Sequence, residues 1–348
     1  MQYKTFGRRT GLRVSEFALG TGNFGTRWGY GSEPADARRI FDRFAEAGGN
    51  FIDTANNYQF GESEELLGDF IAADRDHFVV ATKFSLAAAP TDGIPSLGNS
   101  RRTMIRQVEE SLKRLKSDHI DLLWAHFDDG VTPMEELLRG FDDLVRAGKI
   151  HYAGLSNFPA WRIARGATLA EVHGWAPIAG VQIEHSLVER TADRDLLPMV
   201  ESLGLAAALW SPLGGGFLTG KYRDNAGGGR REGLKTLVHE EAGDQKTAIL
   251  DAVIDIAKEL GVTPSQVAVA WVRQRGLGST TAHIPIIGPR TLAQLDDYLG
   301  ALDVTLSPAQ IARLTAVSDI APGTPHDQVR KVADQLSTGI AHSVLPVA

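Results

Sequence analysis

Polar residues follow several of the short apolar runs in this 348-residue chain, and four of them could act together. They are Asp53, Tyr58, Lys83 and His126. A buried lysine that faces an aspartate stays cationic, and a cation beside a phenol stabilises the phenolate. Such a tyrosine can protonate a developing alkoxide near neutral pH, while a histidine donates a hydrogen bond to a substrate oxygen. Each residue alone could be a solvated charge, a salt bridge or a packed histidine, but together they indicate acid catalysis at a developing alkoxide.

The composition excludes several other chemistries. The chain has no cysteine, which rules out disulfides, zinc–thiolate sites, iron–sulfur clusters and thiolate nucleophiles. The ten histidines are scattered, and no pair of histidine and carboxylate residues has convincing ligand spacing, so no metal site is predicted. With 43% hydrophobic residues and a net charge of −7, the chain can close a core. A disordered protein or one that coats nucleic acid is not expected.

The sequence also predicts where the protein resides. The amino terminus, MQYKTFGRRTGLRV, has no apolar core behind its basic residues. No stretch reaches the roughly 18 uninterrupted apolar residues that a membrane helix requires. We therefore expect a cytoplasmic protein without membrane association.

The elements that must position these polar residues alternate along the chain. A hairpin is expected in residues 1–14, with a turn that closes around Gly11. Eight short apolar runs then predict strands at 17–19, 51–53, 78–82, 119–124, 152–155, 180–183, 206–210 and 283–287. Helix-period stretches lie between them, at 34–47, 63–72, 102–115, 133–147, 159–172, 195–203, 248–260 and 264–275. Capping boxes are predicted at Thr132, Thr263 and Ser307, each followed by proline.

Eight β/α units in roughly 300 residues are the number found in a TIM barrel, whereas open doubly wound sheets usually have fewer strands. The predicted fold class is therefore α/β, a (β/α)8 TIM barrel with an N-terminal β-hairpin. Nothing in the composition marks a domain boundary, so residues 1–348 are expected to form one domain. Residues 223–245 read as a mobile loop and residues 322–348 as a carboxyl-terminal tail.

Two glycine-rich segments resemble nucleotide-binding motifs without satisfying them. The segment GTGNFG at 20–25 has the glycine spacing of a dinucleotide fingerprint, but turn sequence follows it and the next helix starts near Pro34. The segment GGFLTGK at 215–221 resembles a phosphate loop, yet Tyr222 replaces the hydroxyl that would hold magnesium. This second segment follows strand seven, and Gly288 follows strand eight. Barrels commonly bind phosphate at these two places, although both segments could also be ordinary turns.

The chain resembles the aldo-keto reductase superfamily over nearly its whole length. The motifs that carry the resemblance are GRRTGLRVSEFALGTGNFG, NFIDTANNYQFGESEELLG, VVATKF, SLKRLKSDHIDLLWAHFDD, GKIHYAGLSNF, LWSPLGGGFLTGKY and IPIIGPRTLAQLDDYLGAL. Among its branches the chain is most similar to the larger bacterial and potassium-channel-β-like enzymes.

The resemblance implies a role for each of the four polar residues. Tyr58 would be the general acid, and Lys83 the partner that stabilises its phenolate. Asp53 would orient Lys83, and His126 would position the substrate carbonyl. The reaction implied is the reduction of an aldehyde or ketone to an alcohol by direct hydride transfer from a nicotinamide cofactor.

The resemblance also implies the residues that bind the cofactor. Those near the carboxamide and the ring would be Ser156, Asn157, Gln182 and Trp210. Those along the pyrophosphate and at the adenosine end would be Ser211, Pro212, Leu213, Gly214, Gly216, Lys221, Gly288, Arg290 and Gln294.

Three residues depart from the family pattern. Trp210 stands where the family commonly has a tyrosine that stacks on the cofactor ring. Stacking should be retained, because the indole offers a broader aromatic face than a phenol. His185 stands where many relatives carry a phenol, and Tyr298 where an asparagine often meets the adenine. Their roles in this chain stay open.

Cofactor preference depends on one arginine. Arg290 could pair bidentately with a 2′-phosphate, which favours NADPH over NADH, or it could be an arginine at the rim. Equal dissociation constants for the two dinucleotides would remove this interpretation.

The mouth of the site is expected to be aromatic. The first loop supplies Phe24, Trp28 and Tyr30, and Phe127 lies beside His126. Hydrophobic aldehydes and ketones are therefore favoured over highly charged sugar phosphates. The loop at 86–99 and the tail could shape this pocket further.

Two other functions compete with the NADPH-dependent reductase. One is a nicotinamide-sensing subunit that binds NADPH with negligible turnover, although such a protein need not keep both Tyr58 and Lys83. The other is a different barrel enzyme that uses its two glycine-rich loops to bind a phosphorylated substrate. The sequence leaves the oligomeric state open.

Overall fold

The computed structural model describes residues 1–223 and 239–336. Most of the predicted mobile loop and the end of the predicted tail lie outside the described residues. The strands in the described ranges are β1 (Tyr3–Thr5), β2 (Arg13–Ser15), β3 (Ala18–Gly20), β4 (Phe51–Asp53), β5 (Val79–Phe84), β6 (Ile120–Ala125), β7 (Ile150–Ser156), β8 (Ile178–Glu184), β9 (Ala206–Trp210) and β10 (His283–Ile287).

Strands β3 to β10 form a closed barrel in which every neighbouring pair is parallel. The last strand, β10, closes the barrel by pairing with both β3 and β9. The strands read as continuous apolar runs because side chains on both faces are buried, one face towards the barrel axis and the other towards the helices. The predicted (β/α)8 barrel with its amino-terminal hairpin is confirmed.

The α-helices surround the barrel. Those in the described residues are α1 (Pro34–Glu46), α2 (Glu62–Ile71), α3 (Arg101–Leu115), α4 (Met134–Arg146), α5 (Ala160–His173), α6 (Leu196–Leu203), α7 (Asp244–Leu260), α8 (Pro264–Arg275), α9 (Leu292–Gly300), α10 (Pro308–Val317) and α11 (His326–Leu336). One apolar cluster fills the space between helices and strands, and a second fills the barrel interior. None of the helices in the described ranges has the length and hydrophobicity needed to cross a membrane.

Two of the three predicted capping boxes are present. Thr263 accepts from the backbone N–H of Gln266, and Ser307 caps α10 in the same way, each with a reciprocal glutamine bond. The box predicted at Thr132 is wrong, because Pro133 is the N-cap of α4 and no side chain caps it. The Thr132 hydroxyl instead donates to Asp129 Oδ2 at 2.6 Å, so this threonine closes the preceding turn.

The hairpin covers the end of the barrel at which the strands begin. Strands β1 and β2 pair antiparallel, and Phe6 in the turn between them is fully buried. Its ring lies edge-on to Phe51 and Trp124 in the barrel interior, with centroids 5.6 and 6.2 Å apart. Lys4 Nζ donates to the carbonyl oxygen of His283 at 3.2 Å. The hairpin therefore closes one mouth of the barrel and leaves the opposite mouth for the site.

His283 makes this closed end sensitive to acid. Burial, followed by the nearby charges of His185 and Lys4, lowers the pKa of His283 to about 4. Its Nε2 is buried without a hydrogen-bond partner in the described residues. Since the folded state holds His283 neutral, its contribution to stability is complete above the unfolded pKa of about 6.5 and is lost as pH falls towards 4.

We therefore expect the His283→Phe variant to lose less stability than the wild type between pH 7 and pH 4.5. The difference should be on the order of 2 kcal/mol, since each unit of pKa shift is worth about 1.4 kcal/mol. Denaturant unfolding of both proteins at several pH values measures it. Identical pH dependence in the two proteins would show that His283 does not titrate in this way.

Candidate active site

The four residues predicted to act together meet at the carboxyl end of the barrel strands. Asp53 is the last residue of β4, Lys83 is in β5, and His126 directly follows β6. Tyr58 begins a short 3-10 turn between β4 and α2. Parallel barrel strands all point the same way, so residues that are distant in sequence converge at this mouth.

Lys83 is at the centre of the cluster. Its side chain is fully buried, and its Nζ donates to Asp53 Oδ2 at 2.5 Å, to the Thr54 carbonyl oxygen at 2.7 Å and to Tyr58 Oη at 3.1 Å. The other carboxylate oxygen of Asp53 accepts from Gln182 Nε2 at 2.7 Å. Both oxygens of the buried carboxylate are thus satisfied, and the three ammonium protons have three acceptors.

The charge state of Lys83 follows from these contacts. Burial by itself would lower the pKa of Lys83, but the Asp53 carboxylate and the Tyr58 oxygen outweigh it, so the pKa is raised above its ordinary value. The ammonium group is therefore present at neutral pH, and it also lies 4.7 Å from the centre of the Tyr58 ring. The phenol of Tyr58 accordingly faces a permanent positive charge.

His126 is held neutral beside this cation. Burial, and after it the charge of Lys83, places the pKa of His126 well below its ordinary value. Its backbone N–H donates to the Phe84 carbonyl and to Ser85 Oγ, both at 3.0 Å. The ring lies edge-on to Tyr58, with centroids 6.0 Å apart. A neutral imidazole in this position can orient an oxygen atom by a hydrogen bond.

The sequence interpretation missed Gln59, which organises the loop around Tyr58. Gln59 is fully buried and has a left-handed backbone with φ of 50°. Its Nε2 donates to the Tyr30 carbonyl at 2.8 Å and its Oε1 accepts from the Trp28 N–H at 2.8 Å. The first loop, residues 21–32, is therefore attached directly beside Tyr58. The uncharged glutamine in a loop had no feature that marked it in the sequence.

The predicted carboxamide and ring contacts line the same mouth. Asn157 Nδ2 donates to the His126 carbonyl at 3.0 Å and to Ser156 Oγ at 3.1 Å, and Gln182 contacts Asp53 as described. Trp210 ends β9 and is half-buried. These side chains adjoin the cluster of Asp53, Tyr58, Lys83 and His126 at the carboxyl ends of β7, β8 and β9.

The turn after β9 has several residues in the left-handed backbone region. Ser211 has φ of 59°, and its Oγ accepts from the N–H of Gly215 at 2.8 Å. Gly214, Gly215 and Gly216 all have positive φ, within a 3-10 segment that spans Gly214–Thr219. Pro212 and Leu213 are buried beneath it. Glycines are needed here because other residues rarely adopt this backbone, and a Cβ on Gly214 would also collide with Val188.

At the predicted adenosine end, Arg290 has no carboxylate partner among residues 1–223 and 239–336. The Arg290 guanidinium lies over the Tyr30 ring, 4.8 Å from its centre, and its Nε is buried without a hydrogen-bond partner in the described residues. Gln294 Oε1 accepts from the Arg290 N–H at 2.8 Å, and Gly288 is exposed. No carboxylate among the described residues pairs with Lys221, whose Nζ faces the Tyr222 ring. These donors fit the anionic groups of a dinucleotide.

The four predicted substrate-pocket residues separate into three groups. The Trp28 ring packs edge-on to Tyr58, with centroids 6.1 Å apart. The Phe127 ring stacks on His126, with centroids 4.6 Å apart, and Phe127 is 41% exposed. Both rings therefore border the cluster of four polar residues. Tyr30 lies under Arg290 instead. The prediction for Phe24 is wrong, since its fully buried ring packs in the apolar core between strands and helices.

His185 takes part in packing outside the cluster of four polar residues. It is buried, its Nε2 lies 2.9 Å from Asp193 Oδ1, and its ring stacks on Trp271. Burial lowers the pKa of His185 despite the carboxylate. Tyr298 is half-buried on α9.

Comparison with known proteins defines the class of enzyme to which this barrel corresponds. A model of the aldo/keto reductase family matches residues 16–319. An uncharacterized oxidoreductase, YrpG, of Bacillus subtilis is 38% identical over 333 residues, covering 93% of this chain and 97% of the relative. An aryl-alcohol dehydrogenase [NADP(+)] of Phanerodontia chrysosporium is 34% identical over 337 residues, covering 91% and 86%. Norsolorinic acid reductase B of Dothistroma septosporum is 34% identical, covering 94% and 84%.

Barrel, site and relatives together define an oxidoreductase that uses a nicotinamide cofactor. This chain belongs to the aldo/keto reductase family.

Proposed function

We propose that this protein reduces hydrophobic aromatic aldehydes or ketones to alcohols with NADPH, and that Tyr58 is the general acid. The observation that supports this most directly is the buried Lys83 ammonium, which bonds to both Asp53 and the Tyr58 hydroxyl. When bound, the reduced nicotinamide supplies the hydride that the carbonyl carbon accepts.

The residues of the chain provide the proton. Tyr58 donates the proton of Oη to the carbonyl oxygen as negative charge develops there, and Lys83 stabilises the phenolate that remains. Asp53 keeps Lys83 charged and oriented, and Gln182 fixes Asp53 in turn. Neutral His126 orients the carbonyl oxygen towards Tyr58. Trp28 and Phe127 flank this position and limit the access of water.

The proposed cofactor residues divide along the length of the dinucleotide. Ser156, Asn157, Gln182 and Trp210 would hold the nicotinamide, and the glycine-rich turn after β9 with Lys221 would hold the pyrophosphate. Gly288, Arg290 and Gln294 would hold the adenosine end. The name of the P. chrysosporium relative, which specifies NADP(+), agrees with NADPH for this chain.

Arg290 should determine the preference for NADPH. Its guanidinium lies over the Tyr30 ring without a carboxylate partner among the described residues, and a guanidinium can pair with the 2′-phosphate that NADH lacks. We expect Arg290→Ala to weaken NADPH binding roughly 10- to 100-fold, the value of one charge-assisted hydrogen bond, and to leave NADH binding nearly unchanged. Fluorescence titration with both dinucleotides measures this.

Arg146→Ala is the control for this measurement, because Arg146 is an exposed arginine at the end of α4 that pairs with Asp142 away from the site. It should bind both dinucleotides like the wild type. Equal losses for NADPH and NADH in Arg290→Ala would contradict a contact with the 2′-phosphate.

The substrate class rests on the aromatic rings at the mouth and on the name of the aryl-alcohol dehydrogenase relative. It is tested by following NADPH absorbance with benzaldehyde-type carbonyls and, in parallel, with sugar phosphates. We expect higher kcat/KM for the aromatic series. Tight NADPH binding without oxidation by any carbonyl would contradict the reductase and favour a nicotinamide-sensing subunit.

A further inference from the structure

A group of metal-ligating side chains lies at the opposite end of the barrel from the proposed active site. Ile120, the first residue of β6, is in register with Ile150, the first residue of β7. The next residues along the two strands, Asp121 and His151, are therefore neighbours. His119 precedes β6 by one position and lies two residues before Asp121, so it shares a face with it. One ligand atom from each of these three residues lies within 4.8 Å of the others.

The carboxylate of this group is fixed in place, with one oxygen left for a ligand. Asp121 Oδ2 accepts from Arg75 Nη2 at 2.7 Å and from the Val80 N–H at 2.9 Å. Asp121 Oδ1 lies 3.6 Å from His151 Nδ1, which is beyond a hydrogen bond. Oδ1, which faces the histidines, is therefore held in place by the hydrogen bonds that Oδ2 accepts.

The two imidazoles lie directly against each other. Their rings stack, with centroids 4.5 Å apart and planes 26° apart. Asp118 Oδ1 lies 2.7 Å from His119 Nδ1. When Asp118 accepts the Nδ1 proton, Nε2 is the nitrogen of His119 that can bind a metal, and a carboxylate in this role commonly orients metal-binding histidines.

The charge balance favours a cation. Asp118 and Asp121 contribute two negative charges against the single positive charge of Arg75, while the histidines bind metal in their neutral form. Two imidazoles and one carboxylate are typical ligands for zinc and the neighbouring late transition metals, whereas magnesium and calcium prefer oxygen ligands alone.

We propose that His119, Asp121 and His151 bind a divalent transition-metal ion of the zinc type at the amino-terminal end of the barrel, with water as the fourth ligand. The site is separate from the proposed active site and does not depend on the proposed reaction.

Only a small movement is needed to close this site. Tetrahedral zinc with bonds of about 2.0–2.2 Å separates its ligand atoms by roughly 3.4 Å, so the present group must contract by somewhat over an ångström. The His151 side chain is 48% exposed and can make this movement, while Asp121 and His119 are more buried, at 14% and 19%. A bound ion would join β6 to β7 where both strands begin, and it would stabilise the folded state by mass action.

The test is isothermal titration of chelator-treated full-length protein with zinc chloride, with magnesium chloride as the comparison metal. We expect one zinc ion per chain and no binding of magnesium at the same concentration. His119→Ala and His151→Ala should each weaken zinc binding by more than roughly tenfold, since even loss of an outer partner costs that much. The matched control is His173→Ala, which removes an exposed imidazole that stacks on Trp175, and it should bind like the wild type.

Two further measurements make the result decisive. Turnover with NADPH and thermal unfolding without metal should be unchanged in the histidine variants, which shows that they are folded. Saturating zinc should raise the unfolding temperature of the wild type and His173→Ala but not of His119→Ala or His151→Ala. Absence of zinc binding to the wild type, equal affinity in all four proteins, or competition between zinc and NADPH would each overturn the proposal.

Discussion

The Tyr58→Phe variant is expected to lose roughly 10²- to 10⁴-fold in kcat, the range associated with removal of a general acid. The substitution removes one oxygen and retains the ring, so the edge-on contact with Trp28 is preserved. The carbonyl oxygen then lacks an effective acid, because the Lys83 ammonium that remains has a pKa raised above its ordinary value and is held by Asp53 and the Thr54 carbonyl. The dissociation constant for NADPH should stay near that of the wild type.

Steady-state kinetics with an aromatic aldehyde and fluorescence titration with NADPH separate these two effects. Tyr3→Phe is the matched control, since Tyr3 lies on the hairpin, far from the site. It removes a phenol oxygen that donates to the carbonyl of Gly48, which follows α1. It should retain wild-type turnover. A Tyr58→Phe variant as active as the wild type would contradict the role of Tyr58, and a fall in kcat/KM caused only by KM would assign Tyr58 to substrate binding.

Most of the fold could be predicted because its signal is local. The strands predicted at 51–53, 206–210 and 283–287 have the same first and last residues as β4, β9 and β10 in the structure. The remaining barrel strands were placed correctly but differ at their ends. Strand β7 begins two residues earlier than predicted, because exposed His151 at the polar end of the barrel does not read as part of an apolar run. Hydrophobicity marks the buried part of a strand, whereas hydrogen bonding defines its full length.

The polar cluster could be proposed because it depends on one rule of the fold, that strands of a barrel end at the same mouth. Side-chain directions in the first loop could not be predicted, since a loop has no period that assigns residues to faces. Phe24 points into the core, Trp28 towards Tyr58 and Tyr30 under Arg290. The buried Gln59 side chain bonds to the backbone of Trp28 and Tyr30 and so helps to fix two of these directions. Because all three side chains are aromatic, the sequence predicted the same position for each of them, at the mouth of the site.

The group of His119, Asp121 and His151 shows a different limit. Its members are distant in sequence or spaced two apart, and only the register between β6 and β7 makes them neighbours. Sequence spacing finds ligands that lie on one helix or in one loop. It does not find ligands that belong to two strands separated by a helix.

Substitution of Lys83 by methionine should have the other large effect, on both turnover and stability. It leaves the Asp53 carboxylate buried with Gln182 but without a cation, and breaking a buried pair in this way costs about 3–5 kcal/mol of unfolding free energy. The phenolate of Tyr58 also loses the charge that stabilises it. We expect kcat to fall by roughly 10²-fold or more, measured with the same aldehyde assay.

The double variant Asp53→Asn/Lys83→Met separates the two effects. It removes both charges, so no unpaired ion stays buried, and the asparagine oxygen can still accept from Gln182. We therefore expect the double variant to be more stable than Lys83→Met alone, by roughly 1–3 kcal/mol in denaturant unfolding, yet equally inactive. Recovery of stability without recovery of turnover would show that the ammonium group is required for the reaction itself. A double variant no more stable than Lys83→Met would contradict the energetic coupling of the buried pair. Turnover that returns together with stability would show that Lys83 acts through the fold and not through Tyr58.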